Sequence, residues 1–181
     1  MNNPRSFSTI VNMTSRFFVA LAVAMPFSSL RADEISMDNL NARIAGVYTL
    51  EQWHKDGKVF SSPQVEGQFI LRNGLVTTIL HDRMELPSQK TTILHGKYRV
   101  ESNKFSYGYD DTSIYTETPS GVSVSHKPFW EGMREFAISS EAGEIYFRSE
   151  NPKREWVFNG DGLTFSENDK LIRVWRRIPE K

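Results

Sequence analysis

From Val47 onward the chain alternates apolar and polar residues in short runs. In the run 94–100, Leu94, Tyr98 and Val100 share one face with Gly96, while His95, Lys97 and Arg99 share the other. Phe105, Tyr107 and Tyr109 oppose Ser106, Gly108 and Asp110 in the same way; Trp156 lies with Phe158, and Leu163 with Phe165. A period of two is the signature of a strand with one face buried and one wet. It predicts strands over 47–53, 67–72, 75–80, 92–101, 104–109, 113–116, 122–126, 134–139, 144–149, 155–158, 163–166 and 171–178. Between them stand turn formers such as Asp56-Gly57, Asn73-Gly74, Pro119-Ser120-Gly121 and Asn159-Gly160-Asp161-Gly162, which supply the positive φ of tight hairpins. Helical spacing is confined to residues 33–45, where Ile35, Met37, Leu40 and Ile44 mark a short helix with Asp38 as its candidate cap. Hairpin spacing without long crossovers predicts an antiparallel sheet in meander order. Such a sheet closes as a sandwich or a barrel. A single antiparallel up-and-down β-barrel of eight to ten strands gives the alternation in every strand and leaves no open edge. The expected fold is therefore all-β.

The longest apolar run, Phe17 to Phe27, is preceded by Arg5 and Arg16 and followed by Ser28-Ser29-Leu30-Arg31-Ala32. A cationic start, about a dozen apolar residues and a small residue at the exit describe a secretory signal peptide. The run is short for a bilayer crossing, which takes roughly 20 residues; an uncleaved anchor helix is the alternative. Met13 is a candidate start, since a complete signal follows it. The expected organisation is a signal peptide over 1–32, a short helix over 33–45, a barrel over 46–178 and a tail over 179–181. The expected location is periplasmic or secreted, with no stable membrane insertion after cleavage.

The 181 residues suffice for one domain with a real core. Formal net charge is zero, which offers no basic face to nucleic acid. Removing residues 1–32 takes Arg5, Arg16 and Arg31 from the 22 basic side chains and none from the 22 acidic ones, leaving a net charge of about −3. The absence of cysteine excludes disulfides, thiolate zinc sites and a thioether lipid anchor. An exported domain of this kind rests on its core alone, which inclines the compartment towards a bacterial periplasm.

Gly46-Val47-Tyr48-Thr49-Leu50-Glu51-Gln52-Trp53, the Asp56-Gly57 turn, Glu66-Gly67-Gln68-Phe69-Ile70 and the closing Val174-Trp175-Arg176-Arg177 together resemble bacterial lipocalin-like domain proteins. The resemblance spans residues 44–178. The sequence departs from the motif at Tyr48, where the family prefers tryptophan. The resemblance implies a calycin-type barrel whose first-strand aromatic plugs one end beneath an arginine of the last strand. Arg176 and Arg177 are adjacent and face opposite ways, so one of them caps Tyr48. Gly46, Tyr48 and this arginine are thus read as structural.

No nucleophile elbow, phosphate loop, dinucleotide fingerprint or paired-histidine metal motif is present, and no catalytic residue, metal or cofactor is assigned. His54, His81, His95 and His126 are scattered; His81, at the end of an apolar strand, faces either the barrel mouth or solvent. The expected inward set (Tyr48, Leu50, Phe69, Leu71, Tyr98, Phe105, Tyr107, Trp156, Phe158, Phe165) is apolar and aromatic. Candidate ligand contacts are Phe69, Tyr98, Tyr107, Trp156 and Phe158, with His81. Phe129 and Trp130 in the loop His126–Gly132 either form a lid or pack on the outer wall. Three functions stay open: an exported barrel binding a small hydrophobic or aromatic molecule; an isomerase, cyclase or hydratase acting on one, with Tyr98, Tyr107 or His81 in the site; and an envelope interaction protein with a filled barrel. The sequence leaves the oligomeric state unassigned.

Overall fold

The computed structural model describes residues 37–101, 103–127 and 132–179. The expected signal peptide over 1–32, the Asp38 side chain and the lid candidates Phe129 and Trp130 lie outside the described residues. A helix α1 (Met37–Ile44) leads into twelve strands: β1 (Gly46–Lys55), β2 (Lys58–Phe60), β3 (Val65–Arg72), β4 (Leu75–Asp82), β5 (Gln89–Glu101), β6 (Lys104–Thr118), β7 (Gly121–Lys127), β8 (Arg134–Glu141), β9 (Glu144–Glu150), β10 (Lys153–Phe158), β11 (Gly162–Glu167) and β12 (Leu171–Arg177). Ten of them run in the order β12-β11-β10-β9-β8-β6-β5-β4-β3-β1, and β12 pairs with β1 to close an antiparallel up-and-down barrel. The other two extend their neighbours' edges: β2 continues beside β1 beyond β3, and β7 continues beside β6 beyond β8. β7 carries Val122 and Val124 exposed. Asp56-Gly57 and Asn73-Gly74 take positive φ at both residues, as two-residue hairpins require.

The expected inward set is buried throughout. Two strand assignments need correction. Residues 104–109 and 113–116 are one continuous strand, and residues 58–60 add a short one. The join in β6 is a bulge: His95 faces Asp111 and Gly96 faces Tyr109, so Asp110 is an extra residue. Gly96 sits where the strands press closest; a Cβ there would lie 1.9 Å from the Gly108 carbonyl oxygen. β1 has a second bulge, where Leu50 faces Trp175 but Gln52 faces Val174, leaving Glu51 as the extra residue. A single inserted residue reverses which parity points inward. In β1 the inward residues change from Tyr48 and Leu50 to Trp53; in β6 they change from Phe105, Tyr107 and Tyr109 to Thr112.

One end of the barrel is sealed. Leu40 and Ile44 of α1 join the core, and beneath them Tyr48, 1 % exposed, packs against Phe69 and Phe158. The Tyr48 hydroxyl donates to the Ile44 carbonyl at 2.7 Å. Of the two candidate arginines it is Arg177 that faces inward. Its Nη1 donates to the Arg43 carbonyl at 3.0 Å and its Nη2 to that of Ala45, so it holds the last turn of α1 as a cation at a helix C-terminus. Its guanidinium carbon stands 6.0 Å from the Tyr48 ring centroid, at the outer reach of a cation–π contact. Gly46 gives it room: a Cβ there would come within 3.1 Å of Arg177 Nε. Arg176 points outward and pairs with Glu51 at 2.8 Å.

Candidate functional site

The half of the barrel away from α1 holds a cavity of about 510 Å³. Its walls come from the late part of β1, the end of β4, the start of β5, the middle of β6 and the facing parts of β10, β11 and β12. Strand register builds a belt across it. Trp53 pairs with Arg173, Arg173 with Phe165 and Phe165 with Trp156. Because these residues are in phase, all four side chains point into the interior. The Arg173 guanidinium lies over the Trp53 ring, 4.2 Å from its centroid. Two residues along the strands, towards the rim, Arg154 donates to Glu167 at 2.7 Å. Across the cavity Arg134 hydrogen-bonds the Tyr107 phenol, and Tyr109 shares a 2.6 Å hydrogen bond with Thr78. Lys55, Asp82 and Lys90 stand at strand ends on the rim.

The electrostatics follow from burial. Removal from water pushes the Tyr107 and Tyr109 phenols up, so both hold their protons well above neutral pH; beside Tyr107, Arg134 partly opposes this. Burial lowers the pKa of Arg173, against the attraction of Tyr109, Tyr107, Glu167 and Asp82; it lowers that of Arg134 as well. Both guanidinium groups still carry their charge at neutral pH.

Among the described residues, five buried polar side-chain atoms make no hydrogen bond within the protein: Trp53 Nε1, Trp156 Nε1, Arg154 Nε, Arg173 Nε and Thr112 Oγ1. All five belong to residues lining this one cavity. A buried polar group left unpaired costs about 1–3 kcal/mol, so their concentration marks the place where the fold gives up stability.

Of the residues singled out from sequence, Phe69, Tyr107 and Trp156 line the cavity. Tyr98 and Phe158 lie in the sealed half, Tyr98 6.0 Å from Phe105 and Phe158 against Tyr48 and Phe147. His81 is on the outer wall, sharing a 3.0 Å hydrogen bond with Thr91. His95 and His126 likewise bond strand hydroxyls, of Thr77 and Ser113, and His54 bonds Gln52. No group of three His, Asp or Glu side chains among the described residues is arranged to hold a metal. Sequence reasoning missed Trp53, Thr112, Arg134, Arg154, Arg173 and Trp175. For the arginines a signal existed: Arg173 is in phase with Trp175 and Arg177, and Arg154 with Trp156 and Phe158. A charged residue on the parity of core aromatics is a charge pointing inward.

Comparison with protein-family models, with characterised protein sequences and with solved structures found no match for this chain. Its architecture is that of a closed ten-strand antiparallel barrel, consistent with a calycin-like fold, and its buried aromatic cluster is compatible with ligand binding.

Proposed function

We propose that this protein is an exported lipocalin-like barrel that binds a small molecule of hydrophobic or aromatic character in the cavity opposite α1. The observation that carries the reading is the division of the interior. The interior of one half is occupied by the buried rings of Tyr48, Phe105, Phe147 and Phe158, whereas the other keeps about 510 Å³ open between Trp53, Phe69, Trp156 and Trp175. A core left to stability alone is filled to near-crystalline density; an aromatic-walled space of this size matches a small-molecule site. The cavity favours this reading over a barrel filled by its own side chains. Binding is favoured over catalysis because, of the three side chains considered for chemistry, His81 faces away from the cavity and Tyr98 lies in the sealed half, leaving Tyr107 alone in it. Export is inferred from the cationic and apolar character of residues 5–32.

Native mass spectrometry of the protein purified from its own host tests both parts. The expected result is a chain beginning near Asp33 that retains a small molecule, released on denaturation. A chain that keeps Met1 or Met13 and is recovered from the cytoplasm refutes export; a mature chain that never carries a small molecule, at any collision energy, refutes the pocket reading.

A further inference from the structure

We propose that the cavity takes an amphipathic organic anion, its carboxylate received by Arg173 and Arg154 and its apolar body lying against Trp53, Phe69, Leu94 and Trp156. The inference rests on the reading of the cavity as a small-molecule site and names the chemistry of its occupant.

Three observations converge on it. The first is the kind of atom left without a partner. Indole Nε1 and guanidinium Nε are donors only, so four of the five unpaired atoms require acceptors; the Thr112 hydroxyl accommodates either role. A purely apolar occupant would leave all of them as they are. Trp53, Trp156 and Thr112 are each more than nine-tenths buried, which keeps bulk water from supplying the acceptors freely.

The second is charge. Five cationic side chains line the cavity (Lys55, Lys90, Arg134, Arg154, Arg173) against two acidic ones, Asp82 and Glu167. Glu167 is engaged by Arg154, and Asp82 at the rim accepts the Met84 amide at 2.9 Å. The whole chain has a formal net charge of zero, so this excess is local. The Arg173 side chain makes no hydrogen bond or ion pair among the described residues, and desolvation is the largest influence on it. A guanidinium largely held out of water, with Glu167 and Asp82 near but no carboxylate in ion-pair contact, gains from an incoming anion.

The third is orientation. Arg173 lies with its guanidinium carbon over the Trp53 ring. A guanidinium held over an indole still has N–H donors that the π-face does not satisfy, and these suit a planar bidentate acceptor. Carboxylate has that shape. An inorganic anion would satisfy the edge but leave the aromatic walls wet, which is why the occupant needs an apolar body.

The test is isothermal titration calorimetry of the full chain with three ligands of equal chain length and different heads: decanoate, decan-1-ol and decylammonium. Decanoate is expected to bind about tenfold or more tightly than decan-1-ol, and decylammonium more weakly than either. Arg173→Gln should narrow the gap between decanoate and decan-1-ol, and adding Arg154→Gln should close it; Arg173→Lys should retain more of the gap than Arg173→Gln. A merely structural role for Arg173 would weaken all three together. If Arg173→Gln fails to fold, the wild-type protein is titrated at low salt and at ~0.5 M salt, where screening should narrow the gap between decanoate and decan-1-ol. Equal binding of decanoate and decan-1-ol overturns the anion and leaves the pocket standing. A gap that survives both Arg173→Gln and Arg154→Gln overturns the assignment of the head-group site. Failure of all three ligands to bind counts against the pocket itself.

Discussion

Tyr48 supports the sealed end through its ring and its hydroxyl, and two substitutions separate them. Tyr48→Phe keeps the ring against Phe69 and Phe158 but removes the 2.7 Å hydrogen bond to the Ile44 carbonyl, inside a side chain 1 % exposed. Losing a buried partner of this kind costs about 1–3 kcal/mol. Tyr48→Ala also removes the ring and leaves a cavity, raising the loss to about 3–5 kcal/mol. The hydroxyl adds a pH dependence with a definite sign. Burial, only partly opposed by Arg177, raises the Tyr48 pKa from 10.0 to about 12. Below pH 10 the phenol is protonated whether the chain is folded or not, and its contribution is whole. Between pH 10 and about 12 the unfolded chain releases the proton and the folded chain retains it, so stability drains away as pH rises. Over that window the loss amounts to about 3 kcal/mol. Phenylalanine has nothing to titrate. Guanidinium denaturation followed by tryptophan fluorescence at pH 7, 10 and 11.5 should therefore find wild type more stable than Tyr48→Phe at neutral pH, with the advantage shrinking or vanishing at the alkaline end. Tyr107 and Tyr109, also raised by burial, act in both proteins and cancel in the difference, whereas Tyr98, which adds to the rise at Tyr48, belongs to the Tyr48 effect itself. An unchanged midpoint for Tyr48→Phe at pH 7, or a difference constant from pH 9 to 12, would refute the account of the plug.

The adjacent arginines should behave unequally: Arg177→Met, which strips the last carbonyls of α1 of their donor, is expected to cost about 1–3 kcal/mol, whereas Arg176→Met should cost about 0–1 kcal/mol because its Glu51 pair is exposed. Equal losses in chemical denaturation would contradict the inward assignment of Arg177. Gly96→Ala should cost about 3 kcal/mol by the same assay, since the added methyl meets backbone at 1.9 Å and the bulge must open; an unaltered midpoint would mean that the bulge is not held by this contact.

The sequence determined the barrel. Period-two alternation fixed which residues of 94–100, 104–109 and 155–158 face the core, and Asn-Gly and Asp-Gly turns placed the hairpins, because these are local properties of a pleated backbone. It also reduced the plug to Tyr48 and one of two arginines, since neighbours on a strand face opposite ways. The cavity was beyond it. Phe69, Tyr107 and Trp156 were legible as inward, but whether an inward aromatic lines a space or is packed solid depends on neighbours far away in sequence. Tyr98 and Phe158 have the same pattern and lie in the filled half. The decisive features are two extra residues, Glu51 in β1 and Asp110 in β6. Each flips the parity of the residues after it, turning Trp53 and Thr112 inward where alternation counted from Tyr48 or Tyr107 turns them out. A bulge exists because partner strands differ in length around a closed, sheared barrel, a condition satisfied only once β1 has met β12 and β6 has met β5. Tertiary pairing, not local pattern, therefore set Trp53 beside Arg173 and brought the unpaired donors into one cavity.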